Sequence, residues 1–387
     1  MARKVYFHIG APKTGTTYLQ DILWANRKRL AQQGVLVPGD TRMDAFFATL
    51  SVRVAQGLAN RPVADRTAWS RIVDAVQAWD GTAVISHEFF GAATREQAKD
   101  ALAALEPAEI HLVFTARDYV AQFPALWQES VKMRATRGFS QFTKAALDDD
   151  LDELWGWKTT DVVAILDRWG DDVPPDRVHV VTVPQRGGPP TLLWERFSGL
   201  IGIQPGSCVL GDSRANESLG VAQVRLLEAV KSRLPDELKP LPERYRWLRA
   251  FFSHQILASQ KGERFGLRPD EAARMRERTV RVIQHLERAG YDVVGDLAEL
   301  LAPDPSPPLR HPDDVTDAEV LDAALDAIVA LLVAARRRER RLEARSRREP
   351  RPRSLLAAAR ASDAPSVRLA RRAVDRTRRL RANRREP

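Results

Sequence analysis

The stretch that decides the fold runs from Lys4 to Gln20 and reads KVYFHIGAPKTGTTYLQ. Its apolar opening (Val5, Tyr6, Phe7, Ile9) suits a buried parallel strand. The chain then turns through Gly10, Ala11, Pro12, Lys13, Thr14 and Gly15, and a helical pattern resumes from Thr16. A strand, a glycine-bearing turn and a helix start make an anion site. The free N–H groups of a first helical turn converge there, and the helix dipole favours negative charge. Thr16 and Thr17 add hydroxyls, and Lys13 adds a mobile positive charge. The stretch reads as a phosphate cradle.

The place of the lysine narrows the kind of cradle. A Walker loop, G-x-x-x-x-G-K-[ST], sets its lysine directly after the second glycine. Gly10 and Gly15 keep that spacing and Thr17 fits the last position, but Thr16 stands where the lysine belongs. Here the lysine lies inside the loop, as Pro12-Lys13-Thr14-Gly15-Thr16-Thr17. That order resembles the 5′-phosphosulfate loop of sulfotransferases that use 3′-phosphoadenosine 5′-phosphosulfate (PAPS), in their bacterial branch. The resemblance implies a P-loop-type three-layer sandwich and PAPS as sulfuryl donor, with Gly10, Pro12, Lys13, Thr14, Gly15, Thr16 and Thr17 around the nucleotide.

Downstream, strand-like and helix-like segments alternate. Ala83–Ser86, Ile110–Thr115 and Val178–Val183 read as core strands, and Val35–Val37 as a short one. Helical spacing covers 17–33, 98–105, the residues after Asp118 to about Arg134, 162–169 and 191–201. Residues 40–80 read as helices joined by polar linkers, and 134–160 as loops. This alternation predicts an α/β fold with a central parallel sheet, its ligands at the carboxyl ends of the strands.

Two strand ends carry chemistry. After Ala83–Ser86 come His87 and Glu88. Sulfuryl transfer to an alcohol or amine needs a base for the acceptor's proton, and either side chain qualifies. In heparan-modifying sulfotransferases a glutamate just after the corresponding strand takes this part. The resemblance therefore puts Glu88 first and His87 as its substitute. After Ile110–Thr115 comes Arg117, whose planar fork suits a phosphate. The family places an arginine there for the nucleotide 3′-phosphate and a serine eight residues later. Ala125 occupies that later position, so Ser130 or Gln128 would have to substitute. Lys261, Gly262 and Arg264 are similar to the loop that closes over the 3′-phosphate in these enzymes. Asn216 reads as a helix N-cap, His8 as a packed residue, and Trp127, Trp155, Trp157, Trp169 and Trp194 as core. The resemblance covers residues 1–303.

Composition bounds the rest. With 387 residues, 44% of them hydrophobic, the chain can bury a full core. A single cysteine, Cys208, forbids an internal disulfide and suits a reducing compartment. No cluster has metal-ligand spacing, and the mechanism the resemblance implies calls for no metal. No apolar run approaches the ~20 residues of a membrane span. The strand pattern starts too early to leave room for a signal peptide, so the expected place is the cytoplasm.

The net charge of +9 misleads. Residues 336–387 hold 20 arginines against 6 acids, which leaves 40 basic and 45 acidic groups in residues 1–335. Residues 304–314 read as a proline-rich linker, 315–347 as a helical segment and 348–387 as a disordered arginine-rich tail. Such a tail fits an anionic surface, either nucleic acid or the inner face of the membrane. The acceptor expected is a small molecule, a carbohydrate or a lipid-linked molecule. Two rival functions stay open: a nucleotide-dependent kinase, and a non-catalytic protein that binds nucleotide or an anionic surface.

Overall fold

The computed structural model describes residues 1–133, 137–204, 206–211, 218–301, 303, 305 and 307–348, with side chains to 344. Six strands form its centre: β1 (Lys4–Gly10), β2 (Val35–Leu36), β3 (Thr82–Ser86), β4 (Glu109–Ala116), β5 (Val178–Thr182) and β6 (Asp292–Val294). They lie in the order β2-β3-β1-β4-β5-β6, and every neighbouring pair is parallel. The fold is therefore the expected α/β class with a central parallel sheet flanked by helices.

β1 shows why its sequence is apolar almost throughout. A parallel strand covered on both faces has no solvent side. Tyr6, with Val84, Val113 and Val181, packs on Leu19, Ile22 and Leu23 of the helix Thr16–Gln32 and on Trp194 and Phe197 of the helix Leu192–Ile201. On the other face Phe7 meets Phe90 and Trp169 edge-on, with ring centroids 4.8 and 5.1 Å apart.

Chain order around the sheet opens the site. From β1 the chain crosses toward β2 and β3, whereas from β4 it crosses the other way, toward β5 and β6. The carboxyl ends of β1 and β4 lie side by side where these directions part, the usual crevice for a ligand. The loop after β1 and Arg117 after β4 both open there.

The predicted elements recur with bounds shifted by a residue or a few. Sequence reading missed β6, three residues at the sheet edge between Gly290 and Gly295, a run too short for periodicity to reveal. It also read 134–160 as loops. Within that stretch the helices Phe139–Leu147 and Trp157–Thr160 form, burying Phe139, Phe142 and Trp157. A further helix spans Val221–Lys231, with Gly220 at its cap; Asn216, the expected cap, falls outside the described residues.

Contacts divide the chain into two units, residues 1–326 and 327–387. Part of the expected linker is docked within the first unit: Arg310 bridges to Phe265, and the buried His311 lies against the Phe139 ring. In the second unit the described residues continue the helix Asp317–Arg348. The tail from 349 lies outside the described residues. No helix among those described is long and apolar enough to cross a membrane.

His8 is packed, as expected. It is 0% exposed on β1, with its ring nitrogens bonded to the hydroxyls of Ser86 at 2.8 Å and Thr115 at 3.3 Å. Burial pushes its pKa down to about 4. A histidine neutral in the fold but free to charge when unfolded takes up a proton on unfolding. Stability is then full above the unfolded pKa of ~6.5 and falls as the pH drops toward 4. The thermal midpoint should accordingly decline between about pH 6.5 and 5, before carboxylates titrate. A flat midpoint across that window would show that the buried histidines, His8 and His254 among them, titrate in the fold as they do unfolded.

Candidate active site

The loop after β1 is held from behind. Thr115 donates to the Gly10 carbonyl at 2.9 Å, and Thr14 donates to that of Ala11. Gln122 Nε2 donates to Pro12 at 2.7 Å, and Arg117 Nη1 donates to Lys13 at 2.8 Å. Four successive carbonyls are thus taken by side chains, three of them from β4 and the segment that follows it. Gly15 is the helix N-cap at φ +86, and a Cβ there would come within 2.5 Å of Leu193. With no side chain at the cap, the first-turn amides have no local acceptor. Thr17 is exposed at this end, whereas Thr14 is buried and its hydroxyl serves the loop itself.

Lys13 has a positive φ of 64, and its Nζ lies 3.5 Å from Glu129 Oε2. Glu129, on the helix Tyr119–Met133, also accepts from Arg249 Nη2 at 2.7 Å and meets Lys132 at 3.5 Å. Burial works to raise the pKa of this carboxyl. Lys132, Lys13 and Arg249 together overcome it and hold the group well below the usual carboxylate range. For Lys132, burial wins over the pull of Glu129, and its pKa falls to about 8. Sequence reading found neither Glu129, Lys132 nor Arg249. Each looks like an ordinary helix charge, and only folding brings them to Lys13.

Glu88 stands beside the loop. The backbone of β3 continues onto β1 through His87 N–H to the His8 carbonyl at 3.1 Å, and a Cβ on Gly10 would lie 3.5 Å from the Glu88 carbonyl. Gln20, from the helix that follows the loop, donates to Glu88 Oε2 at 3.0 Å. Burial tends to raise the Glu88 pKa, but the neighbouring imidazoles and the hydrogen bonds from Gln20 and its own amide bring it below the ordinary value. Burial also lowers the pKa of His87, more than Glu88 raises it. The Phe89 amide donates to His87 Nδ1 at 3.2 Å, so the neutral imidazole carries its proton on Nε2. At neutral pH the pair is then a carboxylate next to a neutral ring whose one lone pair is already used. That arrangement suits Glu88 as base better than His87.

Arg117 is half-buried beside the loop. Burial depresses its pKa; Asp118 opposes this, while Arg186 and Arg264 add to it. Arg186 acts on Arg264 in the same way. Three guanidinium groups therefore gather from the ends of β4 and β5 and from the loop before the helix Pro269–Ala289. Among the described residues Arg186, Arg264 and Lys261 have no ion pair. Arg186 was not read from the sequence, where it is one charge in a Pro-Gln-Arg-Gly-Gly turn. Gly262 packs on Gly220, and a Cβ there would come within 2.5 Å of that backbone.

Other expected ligands turn elsewhere. Ser130 is buried and donates to the Trp127 carbonyl at 2.7 Å, within its own helix. Gln128 spans Leu219, donating to its carbonyl and accepting from its amide, both at 3.2 Å. Trp127 is core, against Phe139 and Phe265. Trp155 departs from the core reading: half-buried, it stands edge-on to Phe89, next to His87. Among the described residues no group of three or more His, Cys, Asp or Glu side chains is gathered to hold a metal.

No family model matches the sequence, and neither does any curated protein. Among solved structures, a sulfotransferase from Alicyclobacillus acidocaldarius aligns at 17% identity with a TM-score of 0.37, over 62% of this chain and 100% of that one.

Two outcomes follow from these charges. Glu129→Gln should destabilise the fold by about 3 kcal/mol, since it leaves buried cations without their carboxylate. Lys132→Met should cost less, because Glu129 keeps Lys13 and Arg249; chemical denaturation orders the two variants. In turnover assays kcat should hold as the pH falls into the ordinary carboxylate range and decline only below it, as a depressed carboxylate base requires. A limb above that range, yet below the ~6.5 of a free imidazole, would give the base to His87 instead.

Proposed function

We propose that this chain transfers the sulfuryl group of PAPS to a hydroxyl or amine of an acceptor. The observation that carries the reading is the gathering of Arg117, Arg186 and Arg264 beside a loop whose carbonyls are turned away, Arg186 and Arg264 without an ion pair among the described residues. A nucleotide with phosphate at both ends of its ribose would meet amides and Lys13 at one end and Arg117, Arg264 and Arg186 at the other. PAPS, when bound, supplies the sulfuryl group and a phosphate leaving oxygen.

The chain's own residues do the rest. Loop amides and Lys13 stabilise negative charge on the leaving oxygen, which is preorganised electrostatics. Arg117 does two things at once, fastening the loop through Lys13 and offering its remaining N–H groups to phosphate. Glu88 takes the acceptor's proton, held in place by Gln20. A recess of about 50 Å³ opens beside His87, lined by Gln20, Leu23, Trp24, Val37, Arg42 and Ile72 among others. With the Phe46, Phe89 and Trp155 rings close to His87 or Phe89, the acceptor side is largely apolar and aromatic.

Thermal shift tests the nucleotide. The desulfated product, 3′-phosphoadenosine 5′-phosphate, should stabilise the protein more than ATP does, with or without magnesium. Arg117→Ala should lose most of that shift. Lys13→Ala and Glu88→Gln should lose turnover, Glu88→Gln with nucleotide binding nearly intact. Equal or greater stabilisation by ATP with magnesium would favour a kinase and overturn the proposal.

A further inference from the structure

The helix Asp317–Arg348 is amphipathic in an inverted sense. Its buried members are alanines, Ala323 at 4% and Ala327 at 3% exposure. Its large apolar side chains face solvent: Leu321, Leu325, Ile328, Val329, Leu332 and Val333 are each between 44% and 66% exposed. A surface helix ordinarily does the reverse, and a contiguous apolar patch of this kind marks an interaction site. Leu321, Leu325, Ile328 and Leu332 follow one another at intervals of four, three and four residues, the spacing of a seam between two helices.

Charge along the same helix says what lies across the seam. The acids Asp317, Glu319, Asp322 and Asp326 occupy its beginning, and Arg336, Arg337, Arg338, Arg340 and Arg341 follow the apolar stretch, outnumbering Glu339 and Glu343 among them. Two such helices side by side in parallel set like charges against like. Antiparallel, turned about Val329, they set Asp322 beside Arg336 of the second copy. Both ends then pair at once, because a two-fold contact repeats each pairing. An anionic bilayer fits less well, since the exposed Asp322 and Asp326 lie among the apolar side chains and would be repelled.

We infer that this face pairs two copies of the chain as an antiparallel helix pair, with Leu325, Ile328 and Leu332 in the seam and the acidic and arginine-rich ends clasping each other. The contact needs no nucleotide and is independent of the proposed transfer reaction.

Sedimentation velocity on the full chain, from micromolar to about 100 µM, tests it. The expected species is a dimer. Leu325→Glu with Ile328→Glu should yield monomer at an unchanged thermal midpoint, as both positions are exposed. Asp322→Arg should weaken association by about tenfold or more, and adding Arg336→Glu should restore it. The inference is overturned by a monomer throughout the range, by a dimer indifferent to the two glutamates, or by failure of the charge swap to restore pairing. Capture of a monomeric chain by phosphatidylglycerol vesicles would likewise overturn it and give the face to lipid.

Discussion

Four consecutive carbonyls, from Gly10 to Lys13, are each pinned by a side-chain donor, and the candidate site depends on that constraint. A trans peptide plane points its N–H opposite its C=O. Fastening the carbonyls of Pro12 and Lys13 toward Gln122 and Arg117 therefore turns the amides of Lys13 and Thr14 the other way. An unliganded loop of this kind would otherwise sample many shapes, and the entropy of ordering it would fall on ligand binding. Here the donors on β4 and the segment after it order the loop beforehand. Thr115 does double duty: its hydroxyl reaches Gly10, Thr14 and His8 in the buried space between β1 and β4.

That explains what could be read before folding and what could not. The loop was legible because its chemistry is contiguous: glycines, a lysine and threonines lie within eight residues where a strand gives way to a helix. Arg117 and Glu88 were legible as residues just past apolar strands. The donors that hold the loop were not. Thr115 and Gln122 are about a hundred residues away, and nothing in their local sequence distinguishes them from any strand threonine or helix glutamine. Glu129, Lys132 and Arg249 were hidden for the same reason. β6 was hidden for another: three residues at an edge carry no period, and the strand exists because β5 offers it a partner.

Charge around Lys13 bears on how the site can work. A buried carboxylate with one cation is stranded if that cation leaves, at a cost of several kcal/mol. Glu129 has three. Were Lys13 to turn toward a ligand, Lys132 and Arg249 would still neutralise Glu129, so the lysine is free to answer an incoming anion. The same surplus leaves the region net positive, which draws anionic ligands toward the crevice.

Beside the loop, Glu88 is arranged to stay charged. A lone buried carboxyl would hold its proton, since burial disfavours the ion. Gln20 supplies a hydrogen bond to the charged form, and it stands on the helix whose first turn carries the uncapped amides. His87 is kept neutral by burial, with its Nδ1 lone pair occupied by the Phe89 amide. The helix that begins at Thr16 therefore links both halves of the site, amides at its start and Gln20 one turn on. A displacement of that helix would disturb the loop amides and the partner of Glu88 together, both of which the proposed transfer would use.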